Sequence, residues 1–90
     1  MEISFDPLKC MATLAGRGLD FADAGAVFDG PVFEFEDVRS EYPERRIITY
    51  GLLADRLVAV VWTPTDSGRR VISMRKANER EQAKFRDRLA

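Results

Sequence analysis

The chain has no histidine among its 90 residues and only one cysteine. The missing imidazole excludes Ser-His-Asp and Cys-His catalytic arrangements and every histidine-containing zinc site. One cysteine can form neither an intrachain disulfide nor a thiolate cluster. Cys10 lies within an apolar helical pattern, which marks it as a small core residue rather than a nucleophile. No uninterrupted apolar run approaches the ~18 residues that a membrane-spanning helix needs. The N-terminus MEISFDPLKC carries Glu2 where a secretory leader would carry cations, and it lacks a long apolar segment. A cytoplasmic protein with no membrane partner is therefore expected. The carboxylates Glu34, Glu36 and Asp37 read as a solvated strand and turn, so neither a metal nor another cofactor is expected. Any catalysis must draw on Arg, Lys, Tyr, Asp or Glu.

What is present is ordinary in amount: 46% hydrophobic and 32% charged residues, with a net charge of −1. This length supports one domain over residues 1–90, with a single modest core and any site on the surface or in a shallow groove. A short strand opens the chain. Asp6 then offers an N-cap and Pro7 an N1 residue, and Leu8, Met11, Ala12 and Ala15 recur at helical spacing until Gly16. Asp20 can cap a second helix with Phe21, Ala24, Val27 and Phe28 on its apolar face, ended by Gly30-Pro31. From Val32 the period becomes two: Phe33 and Phe35 face one way, Val32, Glu34 and Glu36 the other. After the loop RSEYPE, residues 47–54 and 57–64 form two β-rich runs about the short turn Asp55-Arg56, the second apolar enough for a central strand. The expected fold class is α/β of the α+β kind: a small antiparallel meander with two N-terminal helices and one C-terminal helix, the helices packed on one face.

Charge is polarised along the chain. Residues 1–44 carry three cations against ten anions, and residues 69–90 eight against three. The segment RRVISMRKANERE gathers the cations where period two gives way to a helix. Arg69 to Lys76 reads as a strand with an apolar middle and cationic ends, and Asn78 with Glu81 forms a capping box for a helix starting near Glu79. That helix has a thin apolar stripe, Gln82, Phe85 and Leu89, and is expected to be weakly held. By charge alone, its cations form a solvated face. Phe21, Phe28 and Trp62 are core residues before they are stacking platforms.

The order of these motifs resembles the BrnT-type toxins of bacterial type II toxin–antitoxin systems over nearly the whole chain. Phe5, Asp6, Pro7 and Lys9 fit the family's first element, Leu14 and Gly18 its second, and Phe21, Ala24 and Phe28 its third. Arg46 stands five residues before Gly51, and Arg70, Ile72, Ser73, Arg75, Lys76, Ala77 and Glu81 match its last element. The resemblance implies a RelE-like fold, a ribonuclease that arrests growth without metal, and a cognate ribbon-helix-helix (BrnA-like) antitoxin in a hetero-oligomer. Operator DNA would be reached only through that complex. The chain departs from the family where Arg17 replaces a His and Phe85 a Tyr. An inactive homologue that only binds an antitoxin and tunes operon repression is the alternative.

Cleavage by 2′-OH attack needs a base, cations for the charged phosphorane and an acid for the leaving oxygen. Arg46, Arg75, Lys76 and Lys9 are the candidate catalytic residues. Arg17, Arg70 and Arg80 are candidate RNA contacts. Arginine acts here as an electrostatic clamp, since its pKa is too high for a base. The base is sought among Glu44, Glu79, Glu81, Lys9 and Lys76, the two lysines foremost because an ammonium among arginines loses its proton more readily.

Overall fold

The computed structural model describes residues 2–89. In chain order these form β1 (Glu2–Phe5), α1 (Pro7–Arg17), a 3₁₀ turn (Phe21–Asp23), α2 (Ala24–Asp29), β2 (Val32–Glu36), β3 (Ile47–Leu53), β4 (Arg56–Pro64), β5 (Gly68–Lys76) and α3 (Glu79–Leu89). The fold is α+β, as expected. The sheet runs β1-β5-β4-β3-β2. The β2-to-β5 meander is antiparallel, whereas β1 adds to β5 in parallel. The parallel edge was not expected from so short a strand. Gly68 makes it possible: a Cβ there would collide with the Glu2 carbonyl, so the two backbones meet only because that atom is absent.

The apolar alternation of β4 splits the core into two layers. Val58, Val60 and Trp62 pack on one face with Phe21, Ala24 and Val27 of the turn and α2. Leu57 and Ala59 pack on the other with Phe85 and Leu89 of α3. The helices therefore cover both faces, which corrects the expectation of one: a fully apolar central strand cannot leave a face to water. Close packing fixes Gly51 as well, where an added Cβ would stand 2.6 Å from the Val27 side chain. The β3–β4 turn sits one residue earlier than expected, with Ala54 and Asp55 both at positive φ, 49° and 66°, the paired left-handed geometry of a tight hairpin.

Three further expectations change. The helix α3 is firmly seated, because the Phe85 ring stacks on Tyr50 at 4.4 Å and on Phe33 at 5.0 Å, and burying Phe85 and Leu89 is worth ~1.5–3 kcal/mol each. Asp37 is buried rather than solvated. The apolar stripe of α1 faces outward, with Leu8 75% and Met11 66% exposed. The caps fall where the residue types direct them: Asp6 accepts from Leu8 N, Asp20 from Ala22 N, and Asn78 and Glu81 exchange the two bonds of a capping box. Cys10 packs against the core and its thiol donates to Asp20 at 3.4 Å.

Candidate functional site: a cationic groove beside the sheet

A cleft of about 560 Å³ opens between α1 and the β2–β3 loop. Helix α1 contributes Lys9, Thr13 and Arg17 to its wall, the loop contributes Asp37, Arg39, Tyr42 and Arg46, and Val61, Ile72 and Ser73 form the floor. A bulge in β5 lies at this floor, where the register with β4 slips between Val61 and Trp62. Bulges re-aim side chains and recur beside functional sites. The Arg17 guanidinium donates to the Met74 carbonyl at 2.8 Å, which ties the last turn of α1 to β5 and holds the cleft's width.

The loop wall is organised by Asp37. Its carboxylate accepts from Arg39 Nε and Nη2, both at 2.8 Å, from the Arg39 backbone N–H and from the Tyr42 hydroxyl at 3.2 Å. The forked Arg39 contact holds the Asp37 carboxyl well below the usual carboxylate range, at about 2, despite the opposing effect of burial. Arg46 lies over the Tyr42 ring, 4.1 Å from its centroid, and its Nε donates to Glu44 at 2.9 Å. Its carbonyl accepts from the Asp37 N–H at 2.8 Å, closing the loop at its base.

The groove continues past Asp37 and Arg39 into a smaller recess of about 260 Å³ that contains Tyr50, Arg75 and Glu81. Tyr50 and Arg75 both stand opposite Ala59, whose small side chain lets them converge. Arg75 gives Nη1 and Nη2 to the two Glu81 oxygens at 2.6 and 2.7 Å, and the Tyr50 hydroxyl also donates to Glu81. The Arg75 bonds, foremost, hold the Glu81 carboxyl at about 2, and Glu81 in turn raises Arg75. Burial and the bond to Glu81 push the Tyr50 hydroxyl up, so it stays protonated. A carboxylate this acidic is a poor proton acceptor at neutral pH; Glu81 is a structural latch that fixes Arg75 and starts α3.

Of the candidate residues, Lys9, Arg17 and Arg46 therefore meet in the cleft and Arg75 stands in the adjoining recess. Lys76 does not join them. It lines a separate hollow with Asp55 and Arg56 beside the β3–β4 turn, because neighbouring strand residues point to opposite faces and Arg75 occupies the groove side. Arg70 is exposed opposite Thr63, and Arg80 is exposed in the first turn of α3. Sequence reasoning missed Arg39, Tyr42 and Tyr50. The Asp-x-Arg spacing at 37–39 was the one local signal for the first; the tyrosines acquire their place only through the loop and the cross-strand pairing. Among the described residues no group of side chains could hold a metal ion, and none of the helices is long and apolar enough to cross a membrane.

Fold and groove together define a class: a small α+β domain whose groove is lined by more cations than carboxylates. The chain belongs to a particular family of that kind, the ribonuclease toxins, BrnT, of type II toxin–antitoxin systems, whose model matches residues 5–81. None of the curated proteins compared with the chain matches it.

Proposed function

We propose that this protein is an active, metal-independent endoribonuclease that arrests growth by cutting RNA in the α1–loop cleft. A cognate ribbon-helix-helix antitoxin neutralises it in a cytoplasmic hetero-oligomer, and operator DNA is bound only through that complex. The observation that carries the reading is the convergence of Lys9, Arg17, Arg39 and Arg46 from two distant segments on one cleft whose buried carboxylate, Asp37, is already taken by Arg39. The remaining positive charge is available to a phosphate.

Arg46 and Arg17 supply the charge that a phosphorane requires, and Arg75 extends the clamp along the strand. Each has donors left over from the contact that orients it, since a guanidinium carries five N–H groups. Lys9 is the one lysine of three in the cleft and takes the proton-transfer role. Arg70, exposed on β5 opposite Thr63, is an RNA contact outside the cleft, whereas Lys76 and Arg80 have no part in the chemistry. A binding-only homologue is the second reading. It is favoured by Phe85, which is stacked in the core without a hydroxyl, and by Arg17, which is tethered to Met74 in the family's His position.

Purified protein incubated with RNA separates the two. Cleavage that falls ~10²–10³-fold in Arg46→Ala and in Lys9→Ala, with both variants folded, is the expected result. Full activity in Lys9→Ala would remove that residue from the chemistry, and a wild type without cleavage would leave the binding-only reading standing.

A further inference from the structure

Helix α1 is amphipathic in an unusual sense. Its cleft side carries Lys9 and Arg17, while Leu8, Met11, Leu14 and Ala15 share the other side within an arc of ~120° by helix geometry. Leu8, Met11 and Leu14 are 75%, 66% and 48% exposed, and α1 has no buried residue. Isolated exposed leucines need no explanation, but three large side chains in one arc of one helix form a continuous patch of the sort that marks protein–protein contact. A helix whose apolar arc faces water gains nothing from it in the isolated chain.

From this arc we infer that α1 is the docking face for the antitoxin, which lays an apolar helix stripe across Leu8, Met11 and Leu14 and reaches a carboxylate over the helix shoulder toward Lys9 and Arg17. The inference rests on the toxin–antitoxin reading above and adds the surface and the means of inhibition. Three observations select the occupant. The family supplies a protein partner. Leu8 and Ala12, one turn apart, set the edge of the arc against the cleft's lining, so a partner that buries the stripe stands at the cleft's rim. Arg17, one turn past Leu14, and Lys9, beyond Ala12 on the cleft side, call for an acidic flank on the partner, which then occupies the position of an RNA phosphate. Among the described residues the other exposed large apolar side chains, Val32, Phe35 and Val38, lie on β2 and the loop after it, where Glu36 and Asp37 are already paired with Arg45 and Arg39.

The test uses the full-length protein and the purified product of the adjacent small reading frame as the probe, measured by calorimetry. Leu8→Gln with Met11→Gln keeps helix propensity and touches no cleft residue, so fold and RNA cleavage are unchanged while antitoxin affinity falls at least ~100-fold. Val38→Gln leaves that affinity within about threefold. Undiminished binding by the α1 double variant, or loss on Val38→Gln alone, overturns the docking face. So does a wild-type homodimer that the α1 variant dissociates without loss of antitoxin binding, which would make the arc a self-interface. A wild type that does not bind the probe at all sinks the antitoxin reading itself, a result distinct from binding that merely ignores α1.

Discussion

Replacing Glu81 by Gln removes one charge and almost no volume, and leaves an oxygen that can still accept the Asn78 N–H of the capping box. The carboxyl stands at about 2 in the folded chain against an ordinary 4.5, a difference that converts to ~3 kcal/mol at full strength. The Glu81 side chain is 15% exposed and that of Arg75 39%, so water screens the pair and the contribution is nearer ~1–2 kcal/mol. For a domain of this size that corresponds to a Tm lowered by roughly 5–10 °C at pH 7. Because the folded pKa is depressed, the stabilisation is complete above about 4.5 and disappears as pH falls through about 2. The gap in Tm between wild type and Glu81→Gln should therefore be constant from pH 8 to about 5 and close below it. Asp37 titrates over the same range, also with a folded value of about 2, but it is present in both proteins and cancels in the difference. Thermal unfolding followed by far-UV circular dichroism across this range measures the gap. A gap that does not change with pH would show that Glu81 acts through shape rather than charge, and no gap at neutral pH would refute the latch.

The parallel edge and the buried polar pair each give a simpler expectation. Gly68→Ala should detach β1 from β5 at a cost of more than ~2 kcal/mol, since the new methyl meets Glu2 backbone rather than a yielding side chain; rapid amide exchange confined to β1 would report it, and wild-type protection there would contradict it. Thr49 accepts from the Trp62 indole at 2.8 Å and donates to Glu34 at 2.7 Å. Thr49→Val keeps the shape, strands the indole N–H and should cost ~1–3 kcal/mol in urea unfolding; a variant as stable as wild type would mean that the indole finds another acceptor.

The meander was legible because period two is a local property: Phe33 and Phe35 against Glu34 and Glu36, then two β-rich runs with a turn between them. The caps at Asp6, Asp20 and Asn78 were equally local. The parallel pairing of β1 was not, since four residues carry no sign of a partner at the far end of the chain. The amphipathic pattern of α1 was read correctly as a stripe, but periodicity does not say what lies against it, and here Leu8 and Met11 are left mostly to water. Of the four candidate cations found in the groove, Lys9, Arg46 and Arg75 were marked by the family motif, and Arg17 stands where the chain departs from it. Arg75 and Lys76 are separable from the sequence alone, since adjacent strand residues cannot share a face. Asp37 was hidden by its setting, a polar loop sequence in which a buried, fully bonded carboxylate looks like any solvated one.

The central claim is that the groove cuts RNA through the substrate's own 2′-hydroxyl with protein cations alone. Digestion of a short RNA by the purified protein in EDTA, beside the same RNA with a single 2′-deoxy substitution at the cleaved position, tests it most directly. The expected result is a 2′,3′-cyclic phosphate end on the all-ribose strand and an intact deoxy-substituted strand. Cleavage that stops in EDTA, or that proceeds across the deoxy position, would contradict it.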